Sequence, residues 1–357
     1  MATTGSLPLK LAAMLLAAAL ATVQAAEVKL LHVSYDAMRD AFNEYNQVFA
    51  RHYRQHSGDA VSVTQINGGA ADQARRVAGG MPADIVTLAS ANDIEFIRER
   101  SGRIAESWAQ DLPFEARPFT SPMVMLVRAG NPRGLHDWHD LMQEGVGIVT
   151  CSPLTSGFGR YNYLGIYTWA DRRHQGDEAA IRRELENFYA RVTALGWSSD
   201  EAFGEFVLKN RGDVLLTWEN VALEAVEKFG PERYQIVIPP LTPIASPRVA
   251  VLSGHARDSG TLAAAEAYAR FMFSAEGQRV LARHHLRPVL PEVAEEYAGR
   301  FAAFEPVTIG DYGSISGFNR RHFHHGGWFE EIWAQHGTGS GGGTGGTGPL
   351  PQPDAAP

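Results

Sequence analysis

Between residues 27 and 336, short β-branched or apolar runs alternate with longer stretches of helical periodicity, and no other pattern constrains the fold as tightly. Val28-Lys-Leu-Leu-His-Val33 precedes a stretch from about Ala37 to His56 in which Met38, Phe42, Tyr45, Val48, Phe49 and Tyr53 recur at i, i+3, i+4 spacing. Val61 to Ile66 precedes a helix over Ala70 to Ala78, and Asp84 to Leu88 precedes one over Asn92 to Glu99. This βαβαβα rhythm predicts an α/β fold with a largely parallel sheet, whose ligands gather at the carboxyl ends of the strands.

A second block repeats the rhythm. Pro122 to Val127, Gly147 to Thr150 and Asp213 to Thr217 read as strands, with helices near Arg160 to Arg172, Glu178 to Arg191 and Ala202 to Lys209 between them. The chain then returns through Gln235 to Ile238 and Arg248 to Leu252 to a helix over Leu262 to Phe273, and Ser274 is placed to cap another. Two lobes are expected. One is made of 27–118 with 237–310 and the other of 119–236, followed by a C-terminal helical segment at 311–336.

The two ends read differently. Residues 1–26 carry one charge, Lys10, then an apolar run from Leu11 to Ala21 too short to span a bilayer, then Val23-Gln24-Ala25. That pattern predicts a secretory signal cleaved near Ala25 or Ala26, and a soluble, periplasmic protein. Of 36 glycines, eight fall in 337–357, a Gly/Thr then Pro/Ala tail that cannot bury a core and is expected to be disordered. Cys151 is the only cysteine, so no intramolecular disulfide forms, and its place after Val146-Gly-Ile-Val-Thr150 suggests a small buried hydrophobe at a strand end. With 40 acidic against 32 basic residues the net charge is −8, becoming −9 once Lys10 is removed. That balance argues against nucleic acid or an anionic membrane as a partner.

Three strand ends share one arrangement: Ser34-Tyr35-Asp36, Asn67-Gly68-Gly69-Ala70 and Thr155-Ser156-Gly157-Phe158-Gly159 each join a strand to a helix through small or turn-forming residues. A helix start presents unpaired N–H groups and the positive end of the peptide dipoles, so it can hold an anion without a charged side chain. Glycine lets a ligand approach bare backbone. Ser156 can add a hydroxyl, and Trp218, between a strand and the helix at Glu219, an indole N–H. Singly each loop is an ordinary cap or turn, Trp218 a packed aromatic, and Asp36 and Glu219 caps or partners of backbone N–H groups. Together they converge on an anion.

The same residues carry a resemblance. Leu31-His-Val-Ser-Tyr-Asp36, Asn67-Gly-Gly69, Ala83-Asp-Ile-Val-Thr-Leu88, Val127-Arg-Ala-Gly-Asn-Pro132, His136-Asp-Trp138, Thr155-Ser-Gly157 with Arg160 and Asn162-Tyr-Leu164, Gly212-Asp-Val-Leu-Leu-Thr-Trp-Glu-Asn220, and Ser274-Ala-Glu-Gly-Gln278 resemble the periplasmic sulfate-binding proteins of sulfate/thiosulfate ABC importers. The likeness runs in order across nearly all of 28–333, including His322-Phe323 and Gly326-Gly327. It implies a two-lobed periplasmic binding protein of type II, each lobe a mixed, mainly parallel sheet flanked by helices, closing over a dehydrated sulfate. Carried over by motif, it implies as ligand donors the N–H of Asp36, the N–H of Ala70, the Ser156 hydroxyl, the N–H groups of Gly157 and Phe158, a backbone donor near Ser199, and the Trp218 indole. Asn67, Gly68, Gly69, Arg160 and Glu219 support them. The partners implied are sulfate or thiosulfate and a cognate ABC permease in the inner membrane, with the protein itself a monomer.

The chain departs from the family pattern at four places. Ala70 stands where serine is usual, Ile66-Asn67 where Ser-His is usual, and Phe158 where a second glycine is usual; Trp197-Ser-Ser-Asp-Glu201 differs from the family's glycine-rich stretch. These leave open molybdate, a sulfonate or phosphate, or a scaffold that has lost binding. Sulfate bears no proton at neutral pH, so a donor-only cavity suits it, whereas hydrogen phosphate needs an acceptor. An enzyme is not expected. Ser156 lacks a Gly-x-Ser-x-Gly frame, and neither an HExxH nor a P-loop lysine is present, so no catalytic residue or cofactor is assigned. His284, His285, His322, His324 and His325 match no metal-ligand spacing and read as solvated surface histidines.

Overall fold

The computed structural model describes residues 27–313 and 315–336; the expected signal segment and the Gly/Thr/Pro tail lie outside the described residues. Two sheets with two separate apolar cores organise the chain. The first sheet has the order β10-β3-β1-β2, with β1 (Val28–Tyr35) parallel to β2 (Val61–Gly68) and β3 (Ile85–Leu88), and β10 (Arg248–Val251) antiparallel to β3. Its helices are α1 (Arg39–Ser57), α2 (Ala70–Ala78) and α3 (Ala91–Ser101), joined later by α8 (Leu262–Phe271) and α9 (Ala275–Arg283).

Helix α1 shows how the pattern becomes structure. Ala41, Phe42, Tyr45, Val48 and Phe49 are the buried stripe that the spacing predicts, and Gly58 ends the helix at φ +82°, where its N–H reaches the Arg54 carbonyl. Phe42 meets the ring of His32 edge-on at 4.5 Å, and His32 is fully buried in the middle of β1. Both ring nitrogens of His32 are partnered, Nε2 with Thr87 Oγ1 at 2.9 Å and Nδ1 with the Tyr268 hydroxyl at 3.0 Å. Burial holds its pKa down at about 3, so it packs as a neutral ring.

The second sheet has the order β12-β9-β4-β7-β5-β6. Strand β5 (Ile148–Cys151) is parallel to β6 (Val192–Gly196) and β7 (Val214–Trp218), while β4 (Phe119–Arg128) runs antiparallel to β7, β8 (Tyr234–Val237), β9 (Leu241–Ala245) and the short β11 (Arg287–Pro288). Strand β12 (Glu305–Val307) pairs with β9. Helices α4 (Gly157–His174), α5 (Glu178–Tyr189), α6 (Ser199–Phe203) and α7 (Glu219–Phe229) flank this sheet. The segments α10 (Ile315–Phe323) and α11 (Trp328–His336) close its core with Phe318, Phe323, Phe329 and Ile332.

The chain crosses between the cores where a strand changes allegiance. Phe119 belongs to the first core and Met123, four residues on, to the second; Ala245 belongs to the second and Val249 to the first. The fold is therefore the expected α/β pair of lobes, each with a mixed sheet. One expectation is corrected in the second lobe. His322 is not at the surface: it is 1% exposed, bonded through Nδ1 to the Tyr163 hydroxyl at 2.9 Å and ringed by aromatic side chains, because α10 presses it into the core. His324 and His325 are exposed, and His284 and His285 are half-buried against Glu44 and Glu227.

Candidate functional site

Parallel strands send their carboxyl ends the same way, so Tyr35, Gly68 and Leu88 end the first sheet on one edge while Cys151, Gly196 and Trp218 end the second on another. These two edges face each other. A Cβ on Gly69 would stand 3.3 Å from the Thr155 carbonyl oxygen across the cleft, and one on Gly157 would stand 3.4 Å from the Ala89 Cβ. The Tyr161 hydroxyl reaches the Ala89 carbonyl at 3.4 Å, and the Asp36 carboxyl lies against Ser199 of the other lobe.

Side-chain caps divide the helix starts, with Thr261 before α8 uncapped like several starts at the cleft. Ser90, Asp177, Ser198 and Ser274 cap α3, α5, α6 and α9 by accepting from N–H groups of their first turns. At the cleft, Tyr35 before the short turn Asp36–Met38, Gly69 before α2, Ser156 before α4 and Trp218 before α7 provide no side-chain cap. Ser156 is of the residue type that caps best, yet its hydroxyl is not spent on its own helix. Uncapped first turns leave N–H donors, and the dipoles behind them favour negative charge.

Six of the seven sequence-predicted donors are placed at these uncapped starts, and Ser199 at the start of α6, which Ser198 caps. Asp36 opens the turn after β1, Ala70 is the first residue of α2, and Ser156, Gly157 and Phe158 begin α4. Ser199 begins α6, a helix of only five residues, and its hydroxyl is buried without a partner at hydrogen-bond geometry. Trp218 ends β7, 2% exposed, and the rings of Phe158 and Tyr161 meet its indole edge-on at 5.8 and 5.1 Å. Phe158 therefore spends its bulk holding the tryptophan.

The supporting residues have definable tasks. Asn67 Nδ2 donates to the Tyr35 carbonyl at 3.4 Å, tying the β1 and β2 ends together. A Cβ on Gly159 would come within 2.5 Å of the Cys151 carbonyl oxygen, so only glycine lets α4 start so close to β5. Arg160 donates through Nε to the Pro153 carbonyl at 3.0 Å and faces Asp93 of the other lobe. Burial pushes the Asp93 carboxyl up, opposed by the charges of Arg160 and Arg75. Burial likewise pushes up the Asp36 carboxyl, opposed by Ser199, and raises the Cys151 thiol well above its usual range, which leaves it an unreactive group. Cys151 Sγ donates to the Ser198 carbonyl at 3.1 Å.

A cavity of about 280 Å³ opens beside these donors, lined by Asp36, Asp40, Ser199, Glu224 and Lys228 among others. Its carboxylates make it a poor seat for a dianion. The donor-rich strand ends, rather than this opening, have the chemistry for one. Among the described residues no group of three or more His, Cys, Asp or Glu is placed to hold a metal ion.

Three participants escape a reading of the sequence. Tyr161 packs on Trp218 and bridges the lobes, Arg287 pairs with Glu219, and Gln73 lies buried at the start of α2. Arg287 is 68 residues from its partner and offers no local signal. Gln73 offers a weak one, a polar side chain on the apolar stripe of α2 formed by Ala70, Ala74 and Val77.

Comparisons with known proteins agree with this fold. The family model for bacterial extracellular solute-binding proteins matches residues 30–287. The sulfate-binding protein of Escherichia coli K12 is 39% identical over 312 residues, covering 87% of this chain and 94% of that one. The thiosulfate-binding protein of Pseudomonas aeruginosa is 37% identical over 328 residues, covering 90% and 98%. The solved structure of the sulfate-binding protein SubI from Mycobacterium tuberculosis superposes with a TM-score of 0.74 at 30% identity, covering 83% of this chain and all of that one. A periplasmic thiamin binding protein, at 13% identity and TM-score 0.62, shares the fold.

Proposed function

The chain belongs to the family of bacterial extracellular solute-binding proteins, and from that premise we propose that it captures sulfate or thiosulfate between its lobes and delivers it to an ABC permease in the inner membrane. The observation that carries this reading is the set of helix starts left uncapped where the two lobes meet, beside the Ser156 hydroxyl and the Trp218 indole. Asp36, Ala70, Gly157, Phe158 and Ser199 contribute backbone N–H donors. Two negative charges spread over neutral dipoles avoid the cost of burying full counter-charges. A protein of net charge −8 can therefore bind a dianion.

In this reading the protein works as a monomer in the periplasm, catalyses no reaction, and closes about the strand crossings between its cores. No helix among the described residues is long and apolar enough to cross a membrane. Thiosulfate has equal standing with sulfate here, because relatives named for each anion match at nearly the same identity. Titration of the intrinsic fluorescence with sulfate and with thiosulfate tests the reading. A saturable change that disappears in Trp218→Phe is expected; no response to either anion contradicts it.

A further inference from the structure

Helix α1 carries two histidines one turn apart. His52 and His56 stand at i and i+4, so both side chains leave the same face of the helix. Their rings stack with centroids 4.0 Å apart and planes inclined by 27°. The spacing alone gives that proximity; the pair is distinguished by where each ring's hydrogen is committed.

A neutral imidazole has one N–H and one lone pair, and a partner that only accepts decides which nitrogen holds the hydrogen. His56 Nδ1 lies 2.7 Å from the His52 carbonyl oxygen, so Nδ1 donates and the lone pair sits on Nε2. His52 Nδ1 faces Oε2 of Glu276, on α9, at 3.6 Å, and the carboxylate favours the same tautomer. Phe271, buried at the end of α8, packs on the His52 ring with centroids 4.4 Å apart and steadies it. Histidines that bind a metal through one nitrogen almost always give the other N–H to a carbonyl or a carboxylate. Here one ring has the carbonyl and the other the carboxylate, and both keep an Nε2 lone pair.

We propose that His52 and His56 form a chelating site for a divalent transition-metal ion, each coordinating through Nε2, with Glu276 orienting His52 from behind. Metal–imidazole bonds of about 2.0–2.1 Å, one to each ring, together span roughly the separation of the two rings. Histidines at i and i+4 on one helix face are also the pair by which HExxH helices hold zinc. Two imidazoles favour copper(II) most and discriminate against magnesium and calcium, which take oxygen ligands. Water completes the coordination, since among the described residues no third His, Cys, Asp or Glu joins the pair as a ligand. The site lies near the end of α1, about 20 Å along the axis from the first residues of that helix, which border the cleft. It is therefore separate from the anion donors, and the inference does not rest on the receptor reading.

The test titrates the unchanged full chain, His52→Gln, His56→Gln and Glu276→Gln with copper(II) and zinc chlorides, which add no sulfate. Calorimetry gives the affinity, and electron paramagnetic resonance of the copper-loaded protein reports the ligating nitrogens. The unchanged chain is expected to bind one copper(II) ion tightly and zinc more weakly, with a spectrum showing two imidazole nitrogens. Either histidine variant should lose at least tenfold in copper affinity, and E276Q about tenfold, as for an outer-shell partner of a ligand. Copper affinity unchanged in both histidine variants overturns the proposal, because the ion then sits on other surface histidines. So does a spectrum of the unchanged chain with fewer than two nitrogens. Thermal unfolding without metal verifies that each variant is folded; should one fail, His52→Asn or His56→Asn is judged by the same readings. The copper readings decide the matter whether or not the chain binds sulfate.

Discussion

Arg287 grips Glu219 with both ends of its guanidinium, Nε to Oε2 at 2.6 Å and Nη2 to Oε1 at 2.7 Å. Glu219 is the residue after Trp218 and is buried, while Arg287 sits on β11 against β4, between the rings of Phe301 and Phe304. Burial pushes the Glu219 carboxyl up, opposed by the paired arginine. The pair anchors the end of β7, and with it the indole, to the strand by which the chain crosses between lobes.

Removing one partner of a buried ion pair leaves the other charge uncompensated. Arg287→Met is expected to lower stability by about 3–5 kcal/mol, measured by urea unfolding. The double variant Arg287→Met with Glu219→Gln should recover part of that loss. A single variant as stable as the unchanged chain would show that the pair holds nothing in place.

Ser156 separates binding from stability. Its hydroxyl caps no N–H of α4, so Ser156→Ala should leave ligand-free unfolding almost unchanged. It should weaken sulfate binding by about 1.5–3 kcal/mol, the range for a hydrogen bond to a charged group. Equal affinity in calorimetry would remove Ser156 from the set of donors.

Gly69 tests the closed arrangement. At φ −59° its backbone accepts any residue, but an added Cβ already stands 3.3 Å from the Thr155 carbonyl oxygen of the other lobe. Gly69→Val should resist closure at about 1–3 kcal/mol, seen as weaker binding with unchanged ligand-free stability. Small-angle scattering should find the variant still open at sulfate concentrations that close the unchanged chain.

Acid should loosen both cores. His32 and His322 are buried as neutral rings with pKa values pushed down to about 3, against an ordinary 6.5 in the unfolded chain. Between those values the unfolded state holds the extra protons, so stability rises with pH and is fully present above about 6.5. It falls as pH drops, by up to about 1.4 kcal/mol per pH unit for each ring. Thermal midpoints should therefore decline from pH 7 to pH 5, and His32→Gln should flatten that decline. A profile identical to that of the unchanged chain would show that His32 does not titrate in this way.

Much of this architecture is legible in the sequence because local pattern carries it. The stripe of Phe42, Tyr45 and Phe49 gives α1, and Asn67-Gly68-Gly69 marks the turn into α2, whose predicted bounds Ala70–Ala78 are those observed. What depends on distant pairing is not legible. Val192–Gly196 and Leu241–Ala245 become strands because β5 and β4 are there to receive them, and neither has a strong alternation of its own. His322 reads as a surface residue among Arg320, Arg321 and His324, and only the docking of α10 on Tyr163 buries it. Glu219 reads in the sequence as a cap or a partner of backbone N–H groups, and the arginine that it pairs with lies 68 residues away.

Calorimetry of the purified chain with sulfate, thiosulfate, molybdate, phosphate and a small sulfonate tests the central claim most directly. Saturable one-to-one binding of sulfate or thiosulfate, with phosphate much weaker, is the predicted result. No binding of any of the five anions would contradict the receptor reading, and tight phosphate binding would contradict a pocket made only of donors.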